Sequence, residues 1–161
     1  MSPEKDERGM PVNYPTVQDV ITAMVDVFNA ETYGLNLYSE NERRLCPINV
    51  QDIANRTDGI RGRSPRVMDE CRLLCYFTCA RYTMVWDAIM GHHRLYRHRE
   101  IGQLIGKRKQ ITVQRGVASC CGLLANDEAY RFLLHSALRS LKARGFAIWN
   151  EPKTLQDQLC A

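Results

Sequence analysis

The chain has 161 residues, 45% of them hydrophobic and 25% charged, with a formal net charge of +4. This is the composition of one soluble globular domain, and a chain of this length hides about two-thirds of its unfolded surface on folding, so its core needs neither disulfides nor a metal. Collagen-like, mucin-like and wholly disordered classes are excluded. With no apolar run near the about 18 residues that span a bilayer, and a polar, mixed-charge start from Met1 to Arg8, the protein is expected to be cytoplasmic rather than exported or membrane-spanning.

Residues 1–15 are polar and interrupted by prolines, and they read as a flexible arm. From Thr16, a candidate N-cap, the positions Val17, Val20, Ile21, Met24, Val25 and Phe28 follow the i, i+3, i+4, i+7 spacing of a helix with one buried face, ending between Glu31 and Gly34. Leu35 to Pro47 is polar and irregular, and Asn49 to Ala54 is predicted as a short helix capped by Asn49. Residues 1–60 hold 5 basic and 10 acidic side chains, a net of −5, so this acidic half with its amphipathic helix is a candidate surface for a protein partner.

Thr57 to Pro65 carries two glycines and a proline and must be a loop, made basic by Arg61 and Arg63. Ser64 and Pro65 then suit the start of a long central helix with Val67, Cys71, Leu74, Cys75, Thr78 and Tyr82 as its buried stripe. Gly91 or the His92-His93 pair is expected to end or break it. Cys71, Cys75 and Cys79 recur every four residues, which on a helix makes one face of small apolar side chains. Seven cysteines, an odd number without a regular framework, read as reduced thiols.

Arg99 to Ile105 is predicted as a short helix burying Ile101, Leu104 and Ile105, with Gly106 supplying a positive φ at its end. A second helix, 109–124, follows within a few residues. Its expected buried stripe is Val113, Val117, Ala118, Cys121 and Leu124, with Cys120 half-exposed, while Lys107, Arg108, Lys109, Gln110, Thr112, Gln114 and Arg115 are left toward solvent. Two short helices meeting at a glycine, the second basic and polar at its start, make a helix-turn-helix. Asn126 to Glu128 then opens a last amphipathic helix through Tyr130, Leu133, Leu134, Ala137, Leu138 and Leu141, stopped at Gly145, and 146–161 is a C-terminal tail. No strand pattern stands out. The expected fold is all-α, a helix-turn-helix-containing orthogonal domain of about five to six helices spanning 16–145.

Residues 91–115 carry 7 basic side chains against Glu100 alone, a net of +6, which attracts a polyanion. In a helix-turn-helix the second helix enters the major groove with its N-terminal end toward base edges. Arg108 and Lys109 suit guanine, Gln110 suits adenine in bidentate fashion, and Ile111 or Thr112 suits a thymine methyl group. Lys107, Arg97, Arg99, Gln114 and Arg115 are better placed for phosphates. The bland alternative is a helical pair that packs and carries a solvated face.

The stretch Glu100-Ile101-Gly102-Gln103-Leu104-Ile105-Gly106-Lys107-Arg108-Lys109-Gln110-Ile111-Thr112-Val113 resembles the signature of the C-terminal, DnaA-box-binding domain of the bacterial replication initiator DnaA, of the TrpR-like superfamily. The resemblance touches residues 16–142 and is specific over 100–117. It implies a helical fold that docks a recognition helix on double-stranded DNA. The family's turn arginine corresponds to Arg108, its base-reading run to Lys109, Gln110, Ile111 and Thr112, and its minor-groove loop to Arg61, Arg63 and Arg66. Of the four base-reading positions Thr112 alone is retained, so the resemblance implies a docking mode and not a target sequence. The initiator's ATPase domain has no counterpart in the sequence. Gly102 to Arg108 has three residues between its glycines and Arg after Lys, which is not a phosphate loop, and ATP binding is not expected.

His92, His93, His98, Cys120 and Cys121 lack the usual spacing of a zinc site, and no nucleophile or metalloprotease motif occurs, so no cofactor and no catalysis are expected. The reading is a sequence-specific double-stranded-DNA-binding protein, nucleoid-associated, with a regulatory or accessory role in replication or transcription in a bacterium, phage or mobile element. Its alternative is a helical protein–protein interaction module without DNA binding.

Overall fold

Thr16 begins the first helix with reciprocal hydrogen bonds: its hydroxyl accepts from the Asp19 N–H (3.2 Å), and the Asp19 carboxylate accepts from the Thr16 N–H (2.8 Å). The computed structural model describes residues 5, 9, 11–35, 37–43, 47–55 and 66–153. Helix α1 (Val17–Leu35) buries the predicted face from Val17 to Phe28 against the last helix of the chain and the central one. A short α2 (Glu40–Arg43), inside the segment read as irregular, uses the same capping device, with Ser39 and Glu42 as the pair. Helix α3 (Val50–Ala54) begins as predicted, the Asp52 carboxylate accepting from the Asn49 N–H at 2.8 Å. The Asn29 side chain joins α1 to this region, donating to the Ile48 carbonyl and accepting from its N–H.

Helix α4 (Arg66–Arg81) is the centre of the molecule and packs on α1, α2 and α3. It is buried on nearly every side, so Tyr76, Phe77 and Cys79 are as hidden as the predicted stripe of Val67, Cys71, Leu74, Cys75 and Thr78. Its cysteines serve as core: Cys71, Cys75 and Cys79 are buried thiols, as is Cys120 later in the chain, and burial pushes the Cys79 thiol well above its ordinary range. Cys121 is disulfide-bonded, so the expectation of reduced thiols does not hold there.

The helix stops at Arg81, ten residues before the expected Gly91 break, because a strand run follows. Strand β1 (Met84–Asp87) pairs antiparallel with β2 (His92–Leu95) in the register Met84 to Leu95 and Trp86 to His93. The fold is therefore mostly helical and not all-α: among the described residues it has seven helices and one hairpin. The signal was present in the β-branched and aromatic run Thr83 to Trp86, which ends at Asp87 and is followed by Gly91.

Helix α5 (His98–Leu104), helix α6 (Gln110–Asn126) and helix α7 (Glu128–Ala143) complete the core, with α5 and α6 on α4 and α7 on α1. Asp127 caps α7 by accepting from the Ala129 N–H at 2.9 Å. The two ends of the described chain close on the segment after α4. Thr83 donates its hydroxyl to the Pro15 carbonyl, Trp149 N–H donates to Tyr82 (2.9 Å), and Ala147 N–H donates to Asn13 (2.9 Å). Residues 11–15 and 146–149, read from the sequence as arm and tail, are thus joined to the body and to each other. No helix among the described residues is long and apolar enough to cross a membrane.

Candidate nucleic-acid interface

Helices α5 and α6 are connected by five residues, 105–109, whose path is set by two glycines. Gly106 has φ 74° and Lys107 φ 51°, so the chain turns through two successive left-handed residues, the conformation glycine adopts at no steric cost. The turn is fastened at both ends: Gly106 N–H donates to the Ala54 carbonyl (2.7 Å), and Arg108 N–H donates to the Gly102 carbonyl (2.7 Å). Gly102 is needed for that approach, since a Cβ there would collide with the Arg108 carbonyl and press on Val113. Ile101, Ile105, Val113 and Val117 meet behind the turn as a buried seam, each such side chain contributing about 1.5–3 kcal/mol at most.

Leu104, predicted as core, is 55% exposed; Ile105 takes the inward position one residue later. Leu104 and Gln103 instead line an open cleft of about 500 Å³ together with Ala54, Asn55, Gly106 and Lys107. The stripe of α6 is also rotated from the expected one. It runs Val113, Gly116, Val117, Cys120 and Leu124, which leaves Ala118 exposed and Cys121 half-buried, the reverse of the order expected for the two cysteines. The cause is Gly116: a Cβ there would lie 2.7 Å from the Tyr76 ring, so α6 lies against α4 at its glycine and turns Cys120 inward. Burial raises the Cys120 thiol well above its ordinary range.

The outward side of this pair holds most of the predicted contact residues. Lys107, Lys109, Gln110, Ile111 and Thr112 at the turn and first turn of α6 are exposed, and Gln114 and Arg115 are exposed one turn later. Arg108 is half-buried. Lys109 occupies the N-cap without a side-chain cap, and no acidic residue lies in the first turn. Relative to Ser, Asn or Asp, such a cap forgoes about 0.5–2 kcal/mol and sets a cation against the positive end of the helix.

Arg97 and Arg99 are exposed at the start of α5. Arg94 differs, because it holds Glu100 through two hydrogen bonds (2.6 and 2.9 Å) and Asp87 through a third (3.0 Å). Glu100, whose carboxyl is lowered chiefly by Arg94, also accepts from the Arg97 N–H and so caps α5. The one acid of residues 91–115 is thereby occupied by Arg94 and by the backbone at the start of α5.

Arg66 is also held by the body. It donates to the Glu42 carboxylate (2.8 Å) and the Leu37 carbonyl (2.7 Å), with its guanidinium 4.9 Å from the centre of the Tyr38 ring. The sequence reading placed it with Arg61 and Arg63, which lie outside the described residues. Among the described residues no three His, Cys, Asp or Glu side chains converge as a metal site. Compared with known families, with curated proteins and with solved structures, the chain matches none of them.

Proposed function

We propose that α5, its turn and α6 form a helix-turn-helix that binds double-stranded DNA in the docking mode of the replication initiator's C-terminal domain, with the start of α6 in the major groove. The carrying observation is the uncapped N-terminus of α6, where Lys107, Lys109, Gln110 and Thr112 are exposed together with no acid in the first turn. Among the described residues the Lys107 and Lys109 ammonium groups pair with no carboxylate, so the end offers positive charge and polar side chains of the chemistry that meets phosphates and base edges. Arg97, Arg99 and Arg115 extend the same charge. The resemblance over residues 100–117 supports the reading, and a regulatory or accessory role in replication or transcription fits it.

The alternative, a protein-docking module using the amphipathic first helix, has less support. The apolar face of α1 from Val17 to Phe28 is consumed by α4 and α7 and is not available to a partner. A titration of a fluorescent random duplex at several salt concentrations tests the proposal. The wild type should bind with an affinity that falls steeply with salt, and a folded Lys107→Ala/Lys109→Ala/Arg115→Ala variant should lose that binding. No binding at low salt, or equal binding by the variant, would sink it.

A further inference from the structure

The hairpin ends in the four residues Ala88-Ile89-Met90-Gly91, and there Ile89 is 93% and Met90 60% exposed. Turns favour glycine and small polar residues, so two large apolar side chains at a tip stand against the ordinary preference. The tip is also fixed in place. One Asp87 carboxylate oxygen accepts from the N–H groups of both Ile89 and Met90 (3.0 Å each), and Gly91 N–H donates to the Asp87 carbonyl (2.8 Å). Arg94 then joins the other Asp87 oxygen to Glu100, so the turn is braced against the first helix of the candidate interface. Trp86 and His93 pack edge to face across the strands, and Tyr14 also packs edge to face with His93.

What such a tip meets is indicated by its surroundings. Arg94 is taken up by the two acids that flank this stretch, Asp87 and Glu100, which leaves Arg97 and Arg99 exposed at the hairpin's base. A rigid apolar point with a cationic base is complementary to a groove walled by phosphates. Strands of four residues extend about 13 Å, which is about the width of the major groove and enough to cross one phosphate ridge.

Resting on the DNA-binding reading, we propose that the hairpin is a wedge: Ile89 and Met90 enter the minor groove beside the major groove occupied by α6, part a base step and bend the duplex. Arg97 and Arg99 hold the flanking phosphates. The wedge gives the protein a preference for easily unstacked pyrimidine–purine steps, independent of the bases read by α6.

The test uses the full chain and a duplex with 2-aminopurine at a single TA step and dyes on its two ends. Wild-type binding should raise the 2-aminopurine emission and the energy transfer between the ends. An Ile89→Ser/Met90→Ser variant should bind about tenfold more weakly, through loss of partly buried aliphatic surface, and raise neither signal. Circular dichroism should show an unchanged fold, since both side chains are outside the core. If the variant equals the wild type in affinity and both signals while the Lys107/Lys109/Arg115 variant loses binding, the wedge is wrong and the DNA-binding reading stands. If the substitutions change self-association and leave duplex binding intact, the tip is a protein contact and the wedge is again wrong. If the wild type binds no duplex at low salt, both fall.

Discussion

Gln110 is the first residue of α6 and Lys107 lies in the turn before it, both exposed, yet the proposed roles separate them. A glutamine amide pairs with an adenine in two hydrogen bonds, so Gln110→Ala should cost about 1–3 kcal/mol on a selected site and little on a random duplex. An ammonium on a phosphate carries no sequence information, so Lys107→Ala should weaken all duplexes alike and lower the salt slope by about one. Parallel titrations of selected and random duplexes would check both, and identical profiles for the two variants would remove Gln110 from the base-reading set. At this scale the sequence was legible where chemistry alone decides exposure: lysine, glutamine and threonine at the head of a helix go outward. It was misread where packing partners decide. Leu104 and Ile105 are equally apolar and adjacent, and nothing in their own spacing shows that Ile105 alone faces inward. Cys120 and Cys121 are the same residue type in sequence, and Gly116 against Tyr76, residues 40 positions apart, turns Cys120 inward. Arg66 was read with the basic loop before it, although Glu42, 24 residues away, holds it.

Among the elements, the hairpin was overlooked along with the one-turn α2, and its short strands explain why. Four residues per strand give period-2 alternation too little length to register against the helical pattern that precedes them. Its coupling to α5 rests on Arg94, whose hydrogen bonds lower Glu100, while Asp87 is lowered first by the Met90 backbone N–H and then by Arg94. A carboxylate depressed in the folded state contributes stability that is present above its unfolded pKa and is lost as pH falls through the folded value. Arg94→Met returns both acids toward their ordinary range. The wild type should therefore exceed this variant in stability at pH 7, and the gap should shrink as pH falls below about 4. Urea unfolding at stepped pH measures this, and a gap unchanged down to pH 3 would show that Arg94 acts through packing alone. Helices α1 and α7 were legible because each joins an apolar stripe to a side-chain cap, at Thr16 and Asp127, and α3 from the Asn49–Asp52 pair, whereas α2 has such a pair at Ser39 and Glu42 but no buried face to mark it as a helix. The start of α6 has no such side-chain cap, and its beginning was readable only from the glycine turn before it.

Over the whole molecule, α4 passes through the middle and must accept neighbours on every side, which brings a carboxylate into the interior. Glu70 is only 8% exposed and receives the Tyr130 hydroxyl, 2.8 and 2.9 Å from its two oxygens, so α4 and α7 are joined across 60 residues of chain. Burial first, and then the hydrogen bond to Glu70, pushes the Tyr130 phenol above its ordinary range and keeps it protonated as a donor. Arg66 lies near enough to Glu70 for the two charges to interact, and Arg66 is in turn fixed to Glu42. The sequence displayed Tyr130 only as an apolar position of a last helix, since nothing in its spacing points to an acid on another helix. Tyr130→Phe keeps the ring and removes the donor, which leaves a buried carboxylate short of a hydrogen bond at a cost of about 1–3 kcal/mol. In a domain of this size such a loss lowers the melting temperature by about 2–12 °C. Glu70 and Tyr130 lie outside the proposed contact residues, so duplex affinity well below the melting temperature should be unchanged. Calorimetry beside duplex titration separates the two effects. A variant that melts like the wild type would mean that water replaces the phenol at Glu70, whereas one that loses DNA binding while fully folded would mean that the α4–α7 junction sets the position of α6, which packs on α4.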